Sequence, residues 1–281
     1  MTLGRNVLAG EKDRLNRFGL FALFLMCGLL IFVVPQLLQR EIGVFYQICL
    51  AVVFFLSAMW LRSNERLHKY FQVFFAFFVA SFTLFLQYIV EVLGWSSSTI
   101  DGIVFSKLLS TLLVVIPIVL LTKISGNDMA SIYVKKGKLW LGLIVGLAAF
   151  LLFLVTSVQG ATMIFAGQNI TFERVIHWLL WILVWVLSNG LREELWFREL
   201  FLKKYESLLG AKTSNFLQAI IFSLAHVGVQ YTPILLIFLV IVLFLGLACG
   251  FIMQKTDSLL GSALFHAGAN IPTILGIFSN L

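Results

Sequence analysis

Nine apolar runs, at roughly 18–38, 43–61, 70–93, 103–122, 138–158, 172–197, 213–229, 234–254 and 259–279, take up most of the 281 residues of this chain. Each has about the 17–25 residues that a tilted helix needs to cross a bilayer, the seventh only marginally. Backbone groups in hydrocarbon have no water to bond, so only helices or closed barrels span it, and long unbroken runs choose helices. With 60% hydrophobic residues, 12% charged and a mean hydropathy of +1.01, the composition excludes an ordinary soluble domain. The expected fold class is all-α: a polytopic transmembrane helical bundle of about nine spans.

The charges orient that bundle. Lys and Arg gather at the N-terminus (Arg5, Lys12, Arg14, Arg17) and in clusters at Arg62, Arg66 and Lys69, at Lys123, Lys135, Lys136 and Lys138, at Lys203, Lys204 and Lys212, and at Lys255. The intervening stretches 94–102, 159–171 and 228–233 contain neither residue, and 39–43 has Arg40 alone. The alternation predicts a cytoplasmic N-terminus and an outside C-terminus. Clustered in this way, the net charge of +7 is an orientation signal and not a nucleic-acid surface. The first run is too long for a signal peptide and no small-x-small cleavage site follows it, so it reads as an uncleaved span. Cys27, Cys49 and Cys249 stand alone in apolar runs as packing residues. The charged loop 123–138 is the one plausible seam. It divides accessory helices at 1–130 from a core at 138–281 that holds nearly all the polar residues within runs. Compactness points to a bacterial plasma membrane.

Three pieces of the back half carry chemistry. The first is Ser188 to Arg198, where two adjacent carboxylates and two guanidinium groups end an apolar run. On a helix, Glu194 and Arg198 lie four apart in the favourable acid-before-base order. Glu193 is rotated about 100° from Glu194 and is left free for chemistry. The second piece sets Phe222 and His226 four apart. The third does the same for His266 and Asn270, on a face that continues back through Ser262 and Ser258 and is flanked by small residues. Glu or His can take a proton from water, and His and Asn can donate to a developing oxyanion. Singly, each piece also reads as interhelical glue or a helix-end ion network. His68 and His177 lack such company and read as interfacial. Counted along straight spans, Glu193 and His266 lie toward the cytoplasmic half and His226 near the outer end of the seventh. Convergence therefore needs strong tilt or a short, dipping seventh helix.

EExxxR, FxxxH and HxxxN, in that order on separate membrane helices, resemble the CPBP family. This group of intramembrane proteases includes the type II CAAX-prenyl proteases and the bacteriocin-processing or immunity proteins. The resemblance covers roughly 138–281. It implies an intramembrane endopeptidase acting on a membrane-associated peptide or small protein, prenylated or leader-bearing, among membrane lipid. It further implies that Glu193 and His226 activate water, that His266 and Asn270 hold the oxyanion, and that Glu194, Arg198 and Phe222 support the site. Metal dependence stays open: HExxH is absent, and a divalent ion such as zinc would fall to Glu193, His226 and His266. The competing readings are a non-catalytic immunity or scaffold protein of the same fold and a proton-coupled transporter. The latter more often shows two related halves, and no internal repeat is present.

Overall fold

A computed structural model describes residues 2–92 and 98–281, without the side chains of residues 2–14, 89, 91 and 92. The side chains of Arg5, Lys12 and Arg14 of the basic N-terminus, and residues 94–97 of the second expected outside loop, lie outside what is described. Among the described residues there is no strand. The front half supplies α1 (Thr2–Phe32), α2 (Arg40–Ser63), α3 (Phe71–Val92) and α4 (Ile100–Ile124). The back half supplies α5 (Leu139–Val155), α6 (Ser157–Phe165) and α7 (Phe172–Glu193), then a π-helical turn (Glu194–Glu199) and α8 (Leu202–Leu209). It ends with α9 (Ala211–Leu224), α10 (Leu235–Thr256), α11 (Leu259–Ala269) and α12 (Ile271–Ser279).

Seven helical stretches are long and apolar enough to cross a membrane, or up to eight with the α5–α6 pair, which is bent by 65°. The chain is thus an integral membrane protein, and two expected runs are corrected. The run at 138–158 does not end there. It breaks at Thr156 and α6 continues to Phe165, through residues expected to form an outside loop. The run at 213–229 forms a helix of only 14 residues. At 1.5 Å per residue that is about 21 Å, against a hydrocarbon thickness of about 30 Å.

α9 and α10 pack antiparallel, with Asn215 Nδ2 donating to Leu247 O and Ser223 Oγ to Leu239 O. His226 therefore sits in the turn after α9 and not on a full-length span.

Two kinds of contact hold the site-bearing helices. Small residues let α11 approach α5 and α7: a Cβ on Gly146 would lie 2.8 Å from Leu264 Cβ, and one on Gly190 would lie 2.9 Å from Ala263 O. Aromatic and aliphatic side chains then join the two halves. Phe24 stacks on Tyr205 at 5.1 Å, Phe32 meets Phe197 with tilted rings at 4.5 Å, and one apolar cluster runs from Phe24 to Val242. Such close packing substitutes for the hydrophobic drive that lipid does not supply between helices. The seam at 123–138 is tied down as well, with Lys203 Nζ donating to Ala130 O and Ser258 Oγ to Lys135 O. Ser258 also caps α11, which takes it off the polar face it was expected to share with His266.

Candidate active site

The π-helical turn begins where the two glutamates stand. Its signature bond runs from Leu200 N to Leu195 O at 3.1 Å, five residues back, which widens the helix by one residue per turn. Despite the wider turn, Arg198 Nη1 meets Glu194 Oε1 at 2.5 Å, and both side chains are fully buried. The expected pair is present. Glu194 does more than pair: its Oε1 also accepts from His266 Nδ1 at 2.6 Å, and its Oε2 accepts from Ser262 Oγ. One buried carboxylate thus gathers a guanidinium, an imidazole and a hydroxyl from two helices, partners that a carboxylate needs away from water. Arg198 further lies 4.0 Å over the Phe222 ring, whose edges contact both His226 and His266.

Glu193 is corrected from a free carboxylate to a paired one. Arg192 Nη2 donates to its Oε1 at 2.9 Å, a neighbour in sequence that the spacing argument passed over. The other oxygen, Oε2, faces two imidazoles: His266 Nε2 at 3.4 Å and His226 Nε2 at 3.9 Å. The depth difference expected from straight spans disappears because α9 is short.

Hydrogen bonding then sets the state of each imidazole. His226 Nδ1 is 2.7 Å from Phe222 O, and a carbonyl only accepts, so Nδ1 carries a proton and, in the neutral ring, Nε2 offers a lone pair toward Glu193. The carbonyl is one of those left unpaired at the end of α9. His266 gives its Nδ1 proton to Glu194, and its Nε2 becomes a second donor when the ring is protonated. The turn that carries His226 is braced from the front half: Gln36 donates to Ala225 O at 2.6 Å and accepts from Gly228 N at 2.9 Å.

Glu193, His226, His266 and Asn270 all line one chamber of about 410 Å³. Its remaining wall is mostly apolar, with Phe153, Phe165, Phe238 and Phe265 among the lining residues, and its α10 residues Ile241 and Phe244 are exposed on the outer surface. Asn270 is buried, and its Nδ2 makes no hydrogen bond among the described residues. A second chamber of about 550 Å³ shares Lys107, Glu193, His226 and Tyr231 with the first, and Gln36, Arg40 and Arg192 also line it. The two chambers meet at the Glu193–His226 pair.

Four groups around Glu193 had no assigned place in the sequence reading: Lys107, Ser110, Asn189 and Arg192. Lys107 did carry a signal, being a lone basic residue inside an apolar run, where an ionised group is a functional candidate by default. His68 and His177 are exposed and line neither chamber.

The tightest set of metal-ligating side chains among the described residues is Glu194, Cys249 and His266, not the expected trio. It is poorly suited to a cation, because Arg198 already lies 2.5 Å from Glu194 and His266 Nδ1 is bonded to the same oxygen. Glu193, His226 and His266 fit better by chemistry. Both Nε2 atoms face one carboxylate while each Nδ1 is held by an acceptor, as metal-bound histidines are.

No curated protein and no solved structure matches the chain. A family model does match, over residues 175–272, and its description is Rce1-like, type II CAAX prenyl endopeptidase Rce1-like. That segment holds Glu193, His226, His266 and Asn270, so these four chamber residues lie in the part of the chain that is similar to the Rce1-like type II CAAX prenyl endopeptidases, consistent with the resemblance to the CPBP family.

Proposed function

We propose that this chain is an intramembrane endopeptidase that hydrolyses a peptide bond in a membrane-associated peptide, prenylated or leader-bearing, with basic loops and N-terminus on the cytoplasmic side of a bacterial plasma membrane. The observation that carries the reading is the approach of Glu193 Oε2 to two imidazole Nε2 atoms, at 3.4 and 3.9 Å, on the wall of an apolar chamber. A water lying between Glu193 Oε2 and His226 Nε2 meets two acceptors, so it can lose a proton as it attacks the carbonyl carbon. The carbonyl oxygen becomes an oxyanion, and His266 Nε2–H and Asn270 Nδ2–H are the donors on that wall. His226 or Glu193 returns the proton to the leaving amine. Glu194 holds the His266 ring by its Nδ1, and Arg198 and Ser262 hold Glu194. The apolar wall suits hydrocarbon or apolar side chains beside the scissile bond. A divalent ion held by Glu193, His226 and His266 would supply a more acidic water.

Interhelical glue is the bland reading of Asn270, and it predicts a bonded side chain. The Asn270 amide nitrogen has no partner among the described residues. Asn270→Ala is therefore expected to insert and melt normally while kcat falls by the equivalent of about 2.7–4 kcal/mol, the usual loss for one oxyanion donor. KM should change little. Turnover unchanged per folded molecule would return Asn270 to a structural role. The function itself is tested by incubating the purified protein, and Glu193→Ala, with prenylated and unprenylated fluorogenic peptides, each with and without a chelator. Cleavage by the wild type alone is expected. Loss of that cleavage in chelator would assign a metal, and equal cleavage by both proteins would remove Glu193 from the mechanism.

A further inference from the structure

The family match begins at residue 175, yet the hydrogen bonds that hold the carboxylate at the centre of the site reach back to residues before it. Glu193 Oε1 is fixed by Arg192 Nη2, and Arg192 is in turn fixed at two more points. Nη2 donates to Asn189 Oδ1 at 3.0 Å, and Nη1 donates to Ser110 Oγ, on α4, at 2.7 Å. Ser110 completes its own bonding by donating to Gln87 Oε1 on α3. Asn189 Oδ1 also accepts from Lys107 Nζ, on α4, at 2.9 Å. A chain of hydrogen bonds thus runs from α3 through α4 to the Glu193 carboxylate.

Its charge pattern is unusual. Lys107 and Arg192 are two basic side chains sharing one amide oxygen inside a membrane protein, and any charge on both at this range repels. What offsets the repulsion is the Glu193 carboxylate, together with the Trp185 ring 4.8 Å from Lys107 Nζ. A plain packing contact between α4 and α7 would not need two half-buried basic side chains beside a carboxylate. Nearby, Thr111 Oγ1 and Ser188 O already join the same two helices at 3.2 Å without charge.

We propose that Lys107 and Ser110 are positioning residues of the reaction, holding Asn189 and Arg192 so that Glu193 presents Oε2 to His226 and His266. The inference rests on the reading of Glu193 as the base. It gives the front half of the chain a part in the chemistry that the matched segment alone does not contain. A displacement of about 1 Å in a catalytic group can cost about 100-fold in rate, so loss of either tether should act on turnover more than on substrate binding.

The test compares Lys107→Met, Lys107→Arg, Ser110→Ala and Ser110→Thr with the wild type, using a prenylated fluorogenic peptide and normalising to folded protein. Lys107→Met and Ser110→Ala are each expected to lower kcat by roughly 10–100-fold with KM within about twofold. Lys107→Arg and Ser110→Thr, which keep a donor or a hydroxyl, should recover much of the loss. Adding Lys107→Met to Glu193→Gln should lower the residual rate no further, because the tether then has no base to hold. Gln47→Met removes a buried front-half amide, bonded to Ile31 O at 3.0 Å and in neither chamber's lining, and should turn over like the wild type. Wild-type kcat in both Lys107→Met and Ser110→Ala, with Glu193→Gln inactive, overturns this inference and leaves the base intact. A fully active Glu193→Gln protein instead overturns the reading on which it rests. Equal losses in Lys107→Met and Gln47→Met would mean a general packing role, which also overturns it.

Discussion

Glu193→Gln is expected to lower turnover by roughly 10²–10⁴-fold, the usual contribution of a positioned base. The substitution keeps the side chain's length and planarity, and its carbonyl oxygen can still accept from Arg192 in place of Oε1. What it removes is the proton acceptor, because the amide nitrogen that replaces Oε2 can only donate. His226 would then face a donor where it faced a second acceptor, and the attacking water would have one acceptor where it had two. Glu193 lies on a chamber wall and not inside the packed core, so insertion and folding should survive. Single-turnover cleavage by the purified protein measures the effect. Turnover within a few fold of wild type would move the base to another group on the same wall, with His226 the first to examine.

Arg198→Met should act on a different quantity. Arg198 and Glu194 are both fully buried, and methionine fills much of the volume while removing the charge. Glu194 would then keep only His266 and Ser262 as partners in a dry setting. Removing one member of a buried pair typically costs about 3–5 kcal/mol, because the remaining charge is left poorly compensated. Thermal unfolding in detergent should show that loss directly. The double variant Arg198→Met with Glu194→Gln should recover part of it, since no orphan charge is then left, and the shortfall from additivity measures the pair. Activity should fall as well, because Glu194 holds His266. An Arg198→Met protein that melts like wild type but has lost turnover would place Arg198 on the substrate.

The difference between the two glutamates was only partly written in the chain. Glu194 with Arg198 is an i, i+4 pair, a local relation that survives even the π-helical turn. The step of about 100° correctly parts Glu193 from Arg198. It does not tell that both carboxylates converge on His266 from opposite ring nitrogens, or that Arg192 takes up Glu193. Sequence spacing gives directions on one helix. Which neighbouring helix stands in that direction is a property of packing.

The same limit explains the rest. Local composition determined the integral membrane class, the all-helical fold, the order of the three polar pieces and the small residues that admit close approach, because each depends on a residue and its neighbours within a turn or two. The short α9, the bend at Thr156 and the π-helical turn were decided by tertiary packing, since hydropathy averages over a window and does not register where backbone bonds change partners. Lys107 shows this most plainly. Its charge in an apolar run marked it as worth explaining, but Asn189, the residue it serves, is 82 positions away and chosen by the packing of α4 on α7. A lysine amine drawn into an apolar run must find an acceptor. The sequence sets that requirement, and only the folded bundle brings the acceptor within 2.9 Å.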